Sequence, residues 1–294
     1  MVQQVPLGAD DRADEHDEGG IHEVAVDLAY RRLVMVNVVF SGAPRAGDRE
    51  WVLVDAGVPG TKSLIRSAAA ERFGPASRPA AIVLTHGHFD HVGALEDLAE
   101  EWEAPIYAHP LEHPYLRGEA AYPAGDPSVG GGLMASLAGF YPTRPVNVAP
   151  RLRPLPGDGS VPAMPGWRWL HTPGHSPGHI SLWREADRTL VVGDAFVTTA
   201  PESAYATAVQ SPEMHGPPRY FTVDWEAARG SVERLAELGS ALVVCGHGRA
   251  MQGPGMGEAL KRLARDFRAV AVPRRGVYVD HPARAEDGSA YRSV

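Results

Sequence analysis

A run of six residues, His86-Gly87-His88-Phe89-Asp90-His91, constrains this chain more than any other feature. It directly follows the apolar stretch AAIVLT (80–85), whose length and β-branched residues predict a buried strand. Three imidazoles and a carboxylate at a strand tip are a ligand set for zinc and neighbouring divalent metals. In an extended segment residues i and i+2 point to one side, so His86 and His88 converge on one ion. Asp90 and His91 open the next helix, whose Leu95, Leu98 and Trp102 fall at helical spacing. From there they turn toward a second ion.

The same placement recurs three times downstream. His175 lies in HTPGHSPGH (171–179), Asp194 in VVGDAF (191–196) and His247 in VVCGHG (243–248). In each, a polar residue stands at an apolar strand end beside glycine, where it projects into a cleft without steric cost. Further strands are predicted at 21–41, 51–57, 106–109, in WRWLHT and in HISLWRE. Helices are predicted at 61–73, from Asp224 through Leu235, and through Met256, Leu260, Leu263 and Phe267. The order of elements gives two sheet-and-helix halves, an α/β sandwich of two sheets flanked by helices.

Composition sets the boundaries. Residues 1–20 hold six acids and one Arg and read as a flexible acidic tail. Residues 21–294 then form a single domain. Residues 109–166 carry 20 of the chain's 58 glycines and prolines, which predicts an irregular insert or lid. The excess of 36 acidic over 28 basic residues disfavours a nucleic-acid partner. No apolar run approaches the roughly 18 residues of a membrane span. The N-terminus carries neither a cationic nor an apolar signal region, so the expected location is cytoplasmic. The lone Cys245 excludes an internal disulfide and reads as a small buried hydrophobe.

Taken together, His86-X-His88-X-Asp90-His91, His175, Asp194 and His247 resemble the metallo-β-lactamase superfamily, over most of residues 21–270. TPGHSPGH and VVGDAF are most similar to its glyoxalase II-like branch. The resemblance implies an αββα sandwich of two mixed β-sheets, with the metals at one edge between them. It implies that His86, His88 and His175 bind one metal, that Asp90, His91 and His247 bind another, and that Asp194 bridges both. Five imidazoles and two carboxylates leave two divalent ions a net positive charge that holds a bridging hydroxide, whose pKa falls from 15.7 to about 7. Attack by that hydroxide on an ester, lactone or thioester carbonyl of a small-molecule substrate is the expected reaction, with Asp90 orienting the nucleophile or taking its proton. Zinc is the expected metal, with iron or manganese suited to the same ligands.

Around the ligands, Asp55 in VDAG resembles an Asp-X-Gly element of the family beside the site. His179 resembles the second histidine of its motif, in a hydrogen-bonding role. In acyl-homoserine-lactone lactonases of this superfamily a tyrosine commonly follows the bridging aspartate by three residues. Here Val197 holds that position, leaving Tyr205 or Tyr220 to reach the substrate. Persulfide dioxygenases on this scaffold use one iron, for which His86, His175 and Asp194 match the ligands.

Overall fold

Alternation of side chains along the strands explains how the layers assemble, because successive residues of a strand face opposite sides. The computed structural model describes residues 4–14 and 20–294. The first sheet contains β1 (Ile21–Ala25), β2 (Leu28–Leu33), β3 (Val36–Ser41), β4 (Val52–Val54), β5 (Ala81–Val83), β6 (Ile106–Ala108) and β7 (Leu152–Pro154), in that spatial order. Its first four strands pair antiparallel, and β4 through β7 pair parallel.

The second sheet runs β12-β11-β10-β9-β8, with β8 (Trp167–His171), β9 (Ile180–Arg184), β10 (Thr189–Gly193), β11 (Leu242–Cys245) and β12 (Met251–Gln252). Only β10 and β11 pair parallel. Both sheets are therefore mixed.

One set of alternating residues buries between the sheets. Val39, Val52, Val54 and Val83 meet Ile180, Leu182, Val191 and Val244 there. On the outer face of the first sheet, Phe40, Leu53 and Ile82 pack with Ile65, Phe73, Leu98 and Trp102 from the helices Lys62–Phe73 and Leu95–Trp102. On the outer face of the second, Leu190, Val192 and Val243 pack with Val232, Leu235, Leu260 and Leu263 from the helices Trp225–Glu237 and Gly253–Arg265. Helix, sheet, sheet, helix is the αββα order expected from the sequence. No helix among the described residues is long and apolar enough to cross a membrane.

Two expectations are corrected. Residues 4–14 are not a flexible tail. Val5 and Leu7 are buried in the second sheet's outer core, the Met214 N–H donates to the Val5 carbonyl, and Asp14 accepts from the Tyr30 hydroxyl. The rest of the expected tail, residues 1–3 and 15–19, lies outside the described residues. The Gly/Pro-rich insert is also more ordered than its composition suggests. It contributes β7, which pairs with β6, and the short helices His113–Leu116 and Leu133–Ser136. Its prolines and glycines sit between these pieces, so composition averaged over the whole stretch hides them.

Candidate metal centre

Parallel pairing aligns the C-terminal ends of neighbouring strands, and the polar residues cluster at those ends. Asp55 leaves β4, the 85–91 loop leaves β5, Asp194 leaves β10 and His247 follows β11. The β8–β9 connection brings His175 and His179 to the same edge. The structure thus brings all seven expected ligands together. They form three buried groups whose donor atoms lie within 4.8 Å of one another: His86, His88 and His175; His86, His91 and Asp194; and Asp90, His91 and His247.

Hydrogen bonds fix which ring nitrogen each imidazole presents. Asp55 has a left-handed backbone, φ 62°, a conformation that Asp tolerates better than most residues. Its carboxylate accepts from the Thr85 N–H at 2.8 Å, from the Thr85 hydroxyl at 2.7 Å and from His91 Nδ1 at 2.8 Å. Because the Thr85 hydroxyl donates to Asp55, it accepts from His86 Nδ1 at 3.1 Å. One carboxylate therefore orients two rings and turns both Nε2 atoms toward the cluster. His247 Nδ1 donates to the Met35 carbonyl at 2.8 Å, which leaves its Nε2 facing Asp194 Oδ2 at 3.1 Å and Asp90 Oδ2 at 3.4 Å. His175 Nε2 stands 2.9 Å from His88 Nδ1 and 3.5 Å from Asp194 Oδ2.

His179 is placed differently. Its Nδ1 donates toward Thr172, and its Nε2 accepts from the Asp194 N–H at 2.8 Å. Both ring nitrogens are thus engaged in holding the turn that carries Asp194, and neither is left for an ion.

Electrostatics follow from burial. Desolvation, reinforced by the neighbouring imidazoles, pushes His88 down to about 3 and holds His86 and His175 well below the usual histidine range. These three are neutral donors at pH 7, the form a metal takes. Burial opposes the charge on Asp194, but His247 and His91 beside it hold its carboxyl well below the usual carboxylate range. Burial raises Asp90.

Whether a metal fits is decided by atoms left without partners. His86 Nε2, His91 Nε2 and Asp194 Oδ1 are buried and have no hydrogen bond. Such an atom costs about 1–3 kcal/mol, so proteins rarely leave several facing one another. Nitrogen and oxygen donors in three overlapping groups suit divalent transition metals.

An aromatic wall adjoins the cluster. Phe221 stacks on His88 with ring centroids 4.8 Å apart, and Phe89, Tyr141 and Tyr220 pack behind it. Tyr220, expected near the substrate, is buried in this wall, and the charge on Asp90 helps hold its hydroxyl protonated after burial itself. Tyr205 is not part of it. That residue is 76% exposed on the helix Ala204–Val209, which turns it to solvent. Several residues escape sequence reasoning, among them the Met35 carbonyl, Asn37, which donates to the Cys245 and Gly248 carbonyls, and Glu112, which accepts from the Gly87 and Gly178 N–H groups. They act only through contacts distant in the chain, and no local pattern marks them.

Comparison with known proteins agrees with this architecture. The family model of the metallo-beta-lactamase superfamily matches residues 31–247. The probable metallo-hydrolase YflN of Bacillus subtilis is 41% identical over 245 residues, 83% of this chain and 90% of the relative. The probable metallo-hydrolase YybB of the same organism is 31% identical, over 69% of this chain and 77% of the relative. Among solved structures, the metallo-beta-lactamase family protein TTHA1429 from Thermus thermophilus superposes with a TM-score of 0.57 at 19% identity, covering 84% of this chain and 81% of that one, which shows the shared fold. With the family model spanning most of its length, this chain belongs to the metallo-beta-lactamase superfamily.

Proposed function

We propose that this chain is a metal-dependent hydrolase of an ester, lactone or thioester bond in a small-molecule substrate, with two divalent ions, zinc first among them. The observation that carries the proposal is the set of three overlapping donor groups with unpartnered His86 Nε2, His91 Nε2 and Asp194 Oδ1 at their centre. Its relatives named as probable metallo-hydrolases support the reaction class. His86, His88 and His175 would hold one ion, Asp90, His91 and His247 the other, and Asp194 both. When bound, such ions supply Lewis acidity and a water acidified to near neutral pH.

The chain's own residues supply the rest. Asp55 and Thr85 keep His86 and His91 in the tautomer that offers Nε2. Asp90, whose Oδ2 stands 3.4 Å from His247 Nε2, is placed at the cluster to orient the nucleophile or accept its proton. Phe89, Tyr141 and Phe221 exclude water beside His88 and offer an apolar surface to an acyl group.

Elemental analysis of untagged protein purified without chelators, followed by a panel of lactones, thioesters and esters, tests the reading. About two divalent ions per chain and turnover of one carbonyl class are expected. His88→Ala and Asp194→Ala are expected to lose metal and at least about a hundredfold of activity while remaining folded. Full activity in either variant overturns the site. One iron per chain with oxygen uptake on a persulfide replaces the hydrolase reading with the dioxygenase one.

A further inference from the structure

Glu112 is a buried carboxylate that the reaction outlined above does not use. It sits just beyond β6, at the start of the Gly/Pro-rich insert, and each of its oxygens takes two donors. Oε2 accepts from the Gly87 N–H at 3.0 Å and from the Tyr122 hydroxyl. Oε1 accepts from the Gly178 N–H at 2.7 Å and the Ser176 hydroxyl at 2.8 Å. Gly87 lies between His86 and His88 in a loop of the first sheet. Ser176 and Gly178 lie beside His175 in a loop of the second. One side chain thus grips, with one oxygen each, the two loops that supply His86, His88 and His175.

The two glycines are shaped around it. A Cβ on Gly87 would stand 2.7 Å from the Tyr122 hydroxyl oxygen. A Cβ on Gly178 would stand 2.7 Å from Glu112 Cγ and 2.9 Å from its Oε1. The Gly178 loop could not approach Glu112 this closely with a side chain there, and at Gly87 a side chain would press on the Tyr122 hydroxyl that donates to Glu112. Tyr122 is in turn clamped from behind. It stacks on Tyr115 with centroids 3.6 Å apart, and the Tyr115 hydroxyl donates to the Ala290 carbonyl at 2.8 Å. The carboxylate is therefore held in place by packing that reaches the C-terminal segment.

We infer that Glu112 is a positioning residue that sets the distance between the two loops carrying His86, His88 and His175, and so tunes that metal group selectively. Glu112 bonds none of the six residues directly. Its partners Gly87, Ser176 and Gly178 adjoin His86, His88 and His175. Asp90 and His91 lie farther along the 85–91 loop, where Asp55 holds the His91 ring, and the Met35 carbonyl holds that of His247. The inference rests on the two-metal reading, and its test separates the two. Both carboxylate positions must accept, because the main-chain N–H groups of Gly87 and Gly178 can only donate. Glu112→Gln keeps the shape but presents an NH2 group to one loop, and that loop must move.

The test is a zinc titration against a competing chelator. Wild-type protein is measured first, and failure of the wild type to bind zinc overturns the two-metal reading together with this one. Glu112→Gln is then made in two backgrounds that each keep one group: His247→Ala, which retains His86, His88 and His175, and His88→Ala, which retains Asp90, His91 and His247. In the first, zinc affinity is expected to fall about 10- to 100-fold. In the second it is expected to stay within about twofold. An equal loss in both backgrounds, as a merely structural residue would give, overturns the inference, and so does no loss in the first. Ser176→Ala removes a single hydroxyl donor and serves if Glu112→Gln does not fold. It is expected to weaken only the His86, His88 and His175 group, by less than about tenfold, and an unchanged affinity there counts against the proposal.

Discussion

Glu202 shows how a single buried residue ties function-bearing loops together away from the metal centre. Its carboxylate accepts from the Arg219 N–H at 2.8 Å and pairs with His215 Nε2 at 3.1 Å, while its carbonyl accepts from the Met134 N–H of the insert. Burial opposes its charge, but His215 and then Arg219 outweigh that and bring its pKa from 4.5 to about 2. The sign follows from linkage. A carboxyl held lower in the folded than in the unfolded chain stabilises the fold above its unfolded value near 4.5, and that contribution disappears as pH falls through about 2. Glu202→Gln should therefore cost on the order of 3 kcal/mol at neutral pH. The gap between variant and wild type, read from urea unfolding at several pH values, should close between about pH 4.5 and 2. A gap independent of pH would show that shape, not charge, holds these loops.

Legibility at the residue scale follows the same division. His86, His88, Asp90 and His91 stand out because their chemistry is compressed into six positions after an apolar strand. Glu202, Glu112 and Asn37 are ordinary polar residues in the sequence. Their burial and partners arise only when segments far apart in the chain meet, as when the Asn37 amide reaches the Cys245 carbonyl.

At the scale of elements, strands with strong alternation or β-branching were readable, and the misses fall where two or three apolar residues are diluted. β7 is three residues long, Leu152–Pro154, and only Leu152 is buried. The N-terminal segment hides Val5 and Leu7 ahead of a run of acids, yet both enter the core beneath the helix Gly253–Arg265. That segment also joins distant elements, since Pro6 bridges to Glu213 and Arg12 to Met251. Replacing both Val5 and Leu7 with Ala should lower stability by about 3–5 kcal/mol, the usual cost of truncating buried aliphatic residues. Metal content should be unchanged, because none of the proposed ligands lies on this segment. A urea midpoint equal to wild type would mean that the segment leaves the core in solution.

At the scale of the whole molecule, the candidate metal centre lies where loops from the two sheets meet. His86, His88, Asp90 and His91 come from the first sheet's loops, while His175, Asp194 and His247 come from the second. Without an ion, His86 Nε2 is left buried with no hydrogen bond at this edge, and His91 Nε2 and Asp194 Oδ1 face each other only at 3.6 Å, while the apolar layer between the sheets drives their docking. Ions that bind only the assembled edge add their binding free energy to that docking, about 2.7 kcal/mol when free metal is a hundredfold above its dissociation constant. Chelation should therefore lower the unfolding midpoint, and restored zinc should raise it again. His88→Ala and His175→Ala remove proposed ligands of the same group from opposite sheets. Each should abolish the same part of the zinc-dependent increment while leaving the stability of the chelated protein within about 1 kcal/mol of wild type. If only one of the two lost the increment, the ion would be held by one half alone, and the edge between the sheets would not be the site of coupling.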